Sequence, residues 1–60
     1  MNKAEKDLWE DLVRVAKSKY NTSMVRNLSE RPILKSLEAK GYLVIENEML
    51  MGLMITLKRM

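Results

Sequence analysis

The side chains that most enzymes use for catalysis are scarce in this 60-residue chain, which contains no histidine and no cysteine. Asp7, Glu10 and Asp11 share one face of a predicted helix, and Asp7 and Asp11 lie one turn apart, so they are the nearest approach to a catalytic carboxylate pair. Such pairs are far more often solvated, and nothing in the sequence implies a cleft around this one. We therefore expect a protein that is not an enzyme, with no catalytic residue, no metal site and no cofactor.

Positive charge is concentrated in the middle of the chain. Residues 12–45 contain seven lysines and arginines against two glutamates, a net charge of +5, whereas the first eleven residues carry −2. A local excess of this kind attracts polyanions such as nucleic acids, although a solvated surface has the same composition.

The pattern of apolar residues predicts three helices that position these charges. Apolar residues between Leu8 and Tyr20 recur at three- and four-residue spacing, which predicts a first helix over residues 4–19. A short second helix is predicted over residues 23–28. A third helix, capped by Ser29, is predicted over residues 29–40 and would end at Gly41.

After Gly41 the apolar period changes to two, which indicates a β-hairpin. If the odd-numbered residues of both strands face the core, the connection between the strands contains an odd number of residues. We predict three or five, centred on Met49. The whole chain, residues 1–60, is thus predicted to be a single α+β domain of three helices and a C-terminal β-hairpin.

Residues 33–45, with the sequence ILKSLEAKGYLVI, resemble the winged helix-turn-helix domain of small microbial and phage regulators. In that family the recognition helix packs through a leucine, ends at Glu-x-Lys-Gly and leads through an apolar pair into the first strand of the wing. The corresponding residues here are Leu37, Glu38, Lys40, Gly41, and Leu43 with Ile45.

The resemblance implies that the third helix enters the major groove of DNA. The candidates for groove contacts, on the side of that helix opposite its leucines, are Arg31, Lys35 and Ser36. The secondary candidates, around the turn before the helix, are expected to contact a phosphate; they are Arg26, Asn27 and Ser29. Alternatively, Arg31 and Lys35 form exposed ion pairs with Glu38. Asn27 and Ser29 have an equally good alternative role as local caps.

The hairpin tip departs from the family, whose DNA-contacting wings usually carry arginine or lysine there. The tip instead carries Glu46, Glu48 and three large apolar side chains, which would make unfavourable contacts with phosphate. Methionine is common at adaptable binding surfaces, so we expect a dimer contact or a partner-protein site formed by Met49, Leu50, Met51 and Met54. The alternative is that the tip folds back over the first helix near Trp9.

The sequence favours a protein that binds double-stranded DNA in a sequence-specific manner. We expect a dimeric transcriptional regulator with residues 29–40 as its recognition helix. The alternative is a protein-interaction module that docks through the methionine-rich hairpin, with an incidental basic surface. The longest nearly continuous apolar run, residues 49–57, is far shorter than the roughly 20 residues that a membrane-spanning helix needs. We expect a cytoplasmic protein without a membrane contact or a small-molecule substrate.

Overall fold

In the computed structural model, which describes residues 1–59, helix α1 (Lys3–Lys19) has clear local start and stop signals. The side chain of Asn2 accepts a hydrogen bond from the Glu5 amide, and the Glu5 carboxylate accepts one from the Asn2 amide, which completes a capping box. The helix ends at Lys19, and the C-cap residue after it, Tyr20, has a left-handed backbone with a φ of 53°. It begins one residue earlier than the apolar spacing predicts.

The prediction of three helices is wrong, because residues 23–28 do not form a helix. They contain strand β1 (Ser23–Arg26), which is followed by a short 3-10 helix (Leu28–Glu30). A helix of six residues would satisfy few of its own backbone groups, since nucleation is costly. Pairing with a neighbouring strand satisfies them along the whole segment and places Met24 against the core. The fold is therefore α+β with two α-helices and a three-stranded antiparallel sheet.

Helix α2 (Arg31–Ala39) is shorter than the predicted helix over residues 29–40. Ser29 lies in the 3-10 helix instead of capping α2, and the actual N-cap residue, Glu30, makes no capping hydrogen bond through its side chain. The helix ends at Ala39, one residue before the predicted Lys40, and Gly41 adopts the predicted left-handed conformation with a φ of +83°, which glycine tolerates without strain.

Strands β2 (Leu43–Met49) and β3 (Gly52–Leu57) form the predicted hairpin, but the connection is shorter than predicted. Residues 50–51 alone link the strands, so the predicted loop of three or five residues is wrong. The odd number of residues that the prediction required between the paired positions is reached by a β-bulge, because Glu46 is an extra residue in β2 without a partner on β3. Leucine and isoleucine side chains of both strands can therefore still share one face, as their alternation requires.

Strand β3 is the centre of the sheet, whose order is β1-β3-β2, and both helices pack on one of its two faces. This inner face forms the core together with the helices. Its buried apolar residues are Leu8, Leu12, Ala16, Leu34, Leu37, Leu43, Leu53, Ile55 and Leu57. The opposite face, which we call the outer face, carries Ser23, Val25, Val44, Asn47, Met49, Met54 and Thr56. No helix of the described chain covers the outer face.

Candidate nucleic-acid interface

Arg26, a predicted phosphate contact, is engaged within the protein. Its guanidinium donates to both oxygens of Glu30 at 2.8 and 2.9 Å and to Asp11 at 3.0 Å. The side chain is only 18% exposed, and its bonds to Glu30 and then to Asp11 raise the pKa of Arg26 above its usual value. Arg14 lowers the pKa of Asp11 and Arg26 lowers it further. Arg26 thus ties the end of β1 to α1 and to the 3-10 helix.

Asn27, Ser29 and Ser36 also make local or tertiary contacts. The Asn27 side chain accepts the Ser29 amide at 2.9 Å and caps the 3-10 helix, which is the alternative role considered above. The hydroxyl of Ser36 donates to the carboxylate of Glu5 on α1. Ser29 is exposed. The polar side chains of Asn27 and Ser36 are thus already used within the protein.

A buried carboxylate joins the two helices. Glu5, which is only 2% exposed, accepts hydrogen bonds from Lys40 at 2.8 and 3.0 Å, from Ser36 and from the Asn2 amide. These bonds, that of Lys40 first, lower the pKa of Glu5 to about 2. The capping-box spacing of Asn2 and Glu5 was the only sequence signal for this site, and it gave no indication of Lys40, which is 35 residues away.

We expect acid to destabilise the protein partly through Glu5. Its folded-state pKa of about 2 lies below the ordinary 4.5, so its contribution to stability is complete above pH 4.5 and is lost as the pH falls towards 2. In Glu5→Gln, thermal melting followed by circular dichroism should change less across this range than in the wild type. The control Glu10→Gln alters an exposed carboxylate without an ion pair and should retain the full acid dependence. Equal pH profiles for Glu5→Gln and the wild type would contradict the assignment.

Arg31 and Lys35 lie one turn apart on the exposed side of α2, as predicted for groove contacts, but both face the hairpin. Glu48 accepts Arg31 Nε at 2.7 Å and Lys35 Nζ at 3.1 Å. Arg31 first, and then Lys35, lowers the pKa of Glu48. The three side chains, which we call the Glu48 cluster, are each 40–49% exposed and carry a net charge of only +1. Glu38, the expected ion-pair partner, instead accepts the Ile45 amide at 2.8 Å.

Because the Glu48 cluster is solvated, we expect it to contribute little to folding. Glu48→Gln should leave the melting temperature close to that of the wild type, measured by circular dichroism at low and at moderate salt. A large loss of stability would show that Glu48 holds the hairpin against α2, which would make Arg31 and Lys35 structural residues.

Four cations without an ion pair among residues 1–59 lie at the opposite end of the sheet from Glu48. We call Lys17, Lys19, Lys58 and Arg59 the basic end. The amide of Leu57 donates to the Thr22 carbonyl at 2.9 Å, which places the residues after β3 beside the turn that follows α1. None of the eight acidic residues lies between residues 12 and 29 or after residue 48. The sequence showed a basic middle of the chain, but it did not show that the C-terminal cations join it in space.

The backbone and an aromatic pair hold the last of these cations in place. The amides of Lys58 and Arg59 donate to the Tyr42 carbonyl at 2.9 and 3.2 Å. The Arg59 guanidinium lies 5.1 Å from the centre of the Tyr42 ring, which in turn packs 5.2 Å from that of Trp9. A stacked guanidinium keeps its N–H groups available at the ring edge, where a phosphate oxygen could accept them.

Comparison with models of known protein families, with curated proteins and with solved structures gave no match. Within the described residues no helix is long and apolar enough to cross a membrane. Among the same residues no group of three or more acidic side chains is arranged to hold a metal ion.

Proposed function

We propose that this chain binds double-stranded DNA and that the basic end supplies its phosphate contacts. The observation that carries the proposal is the distribution of paired and unpaired cations. Carboxylates already engage five of the eleven lysines and arginines, namely Arg14, Arg26, Arg31, Lys35 and Lys40. Four of the other six form the basic end, so the net charge of +3 is expressed mainly there.

A nucleic acid fits this charge distribution better than an anionic membrane does. Interfacial membrane binding requires cations and large apolar side chains on one surface. Tyr20, beside Lys19, is the single large apolar side chain of this kind at the basic end in the described chain, with 96% exposed. The exposed leucine and methionine of the turn at residues 50–51 lie at the far end of the hairpin from Lys58 and Arg59. Phosphate contacts need only cations, and the basic end presents four of them.

Sequence-specific recognition and a role in transcription are a finer proposal, supported by α2. The side chain of Arg31 is long enough for two parallel hydrogen bonds to guanine, and its ion pair with Glu48 is exposed and weak. A groove-bound state would replace Glu48 by base edges or phosphates. Selection from a pool of randomised duplexes tests this step, because enrichment of a common site in the wild type that is lost in Arg31→Gln would support base reading. Binding without enrichment would limit the protein to the DNA backbone.

Fluorescence-anisotropy titration of the full chain with a labelled duplex at several salt concentrations tests the proposal. If all four cations of the basic end contact phosphates, the plot of log Kd against log salt should have a slope of about 3 to 4. Vesicles of anionic lipid, titrated in parallel, should bind more weakly at the same salt. Absence of duplex binding at low salt, or tighter binding to vesicles than to DNA, would overturn the proposal.

A further inference from the structure

The outer face of the sheet presents an apolar patch that nothing in the described chain covers. Val25 is 58% exposed and Met54, which lies directly opposite it on β3, is 39% exposed. The adjoining turn exposes 90% of Leu50 and 86% of Met51. Met49 is on the same face beside them. We call these five residues the apolar patch, and clustered exposure of this kind marks an interaction site.

The outer face is also uncharged. None of its seven residues is ionisable, and Glu46, which precedes Asn47 in β2, is the exposed bulge residue of this edge strand. The hydroxyls of Ser23 and Thr56 form a hydrogen bond of 3.0 Å with each other. These two polar groups therefore keep a partner when water is removed, which lowers the cost of burying the face.

We infer that a second copy of this chain covers the outer face, with the two sheets packed face to face around a twofold axis near Val25 and Met54. A twofold interface brings each surface against an identical one, so a charged face would repel its copy and this uncharged face does not. A strongly charged partner would find no complementary group here. The pairing extends the expected methionine contact to β1, because Val25 is 58% exposed and lies directly opposite Met54.

Face-to-face packing fits better than joining the sheets edge to edge. One edge strand, β1, has only four residues, and the Asn21 side chain already accepts the Ser23 amide at 3.0 Å. The other edge strand, β2, is interrupted by the bulge at Glu46, and its Ile45 amide already donates to Glu38. Edges that are short, bulged or partly capped are poor templates for a further strand. In contrast, a 60-residue chain with nine buried apolar residues and no disulfide has a small core, to which a sandwich would add a second apolar layer.

Sedimentation equilibrium of the full chain, without DNA, tests the inference up to millimolar concentration. The wild type should approach twice its 7.0 kDa mass, whereas Val25→Lys with Met54→Lys should remain at 7.0 kDa. A matched control, Ser18→Lys with Ala39→Lys, adds the same charge at exposed helical positions and should dimerise like the wild type. A monomeric wild type, an equally dimeric Val25/Met54 variant, or growth beyond two copies would each overturn the inference.

Methyl resonances of methionine provide a second measurement on the unmodified chain. On raising the concentration, the signals of Met49, Met51 and Met54 should shift, while Met24, on the inner face, should not. Shifts confined to other methionines would place the interface elsewhere and overturn the inference. This result does not depend on DNA, so the dimer and the proposed function can fail separately.

Discussion

Leu34→Ala should lower the free energy of unfolding by about 2–5 kcal/mol, which is the range for truncating a fully buried leucine. Leu34 is completely buried in the middle of α2, where it packs with Leu12 of α1 and the leucines and isoleucine of β3. A single core of this size rarely supplies more than about 3–5 kcal/mol in total. We therefore expect a large fraction of the variant to be unfolded without denaturant.

Urea denaturation followed by the fluorescence of Trp9, the single tryptophan, measures this loss. Trp9 packs on Tyr42 in the native state, so its emission should change when the core opens. Leu50→Ala is the matched control, because it removes the same atoms from an exposed leucine and should change stability by less than about 0.5 kcal/mol. Equal effects of the two substitutions at low protein concentration would contradict the assignment of the core.

Gly52→Ala should cost about 1–3 kcal/mol, since the new methyl group has no space. A Cβ atom at Gly52 would lie 2.8 Å from the carbonyl oxygen of Arg26 and 3.1 Å from Cγ1 of Val25. The first of these atoms is backbone, so β1 must move away from the hairpin turn. Because Arg26 also binds Glu30 and Asp11, the displacement should extend to that network.

The comparison with Gly41→Ala separates a steric clash from backbone strain. At Gly41 the nearest atom to a new Cβ is 3.7 Å away, but the φ of +83° disfavours alanine by about 1–2 kcal/mol. Amide chemical shifts should change along β1 in Gly52→Ala and only around residues 40–43 in Gly41→Ala. If Gly52→Ala is as stable as the wild type and β1 is unperturbed, the close approach of β1 to the hairpin is incorrect.

Local signals predicted the elements that form without distant partners. The spacing of Leu8, Leu12 and Ala16 predicted α1, and Gly41 predicted the end of α2. Strand β1 was missed because four residues with one apolar position facing the core carry little periodicity of their own. Its structure depends on β3, about 30 residues later in the chain, where Ile55 lies opposite Met24.

The candidate site was harder to predict, since charge neutralisation depends on tertiary contacts. The sequence placed Arg31 and Lys35 on one side of a helix, and the structure does so too. The bulged hairpin brings Glu48 into contact with both of these cations, and its negative charge reduces the net positive charge on the exposed side of α2. Conversely, the sequence allowed Lys58 and Arg59 either a contact with the DNA backbone or a role in solubility alone, and it did not show that they lie beside the end of α1, where the pairing of β3 with β1 brings them.

The salt dependence of duplex binding by three double variants tests most directly the claim that the basic end contacts DNA. The first variant, Lys58→Gln with Arg59→Gln, removes two cations of the basic end. The second, Arg31→Gln with Lys35→Gln, removes the two cations of α2. The third, Lys3→Gln with Lys6→Gln, removes two unpaired cations elsewhere on α1. All three lower the net charge by two, so a difference between them cannot come from the overall charge. The Lys58/Arg59 variant should lose about 2 from the slope of log Kd against log salt, and the other two should lose much less. An equal loss in all three, or the largest loss in the Arg31/Lys35 variant, would contradict the account.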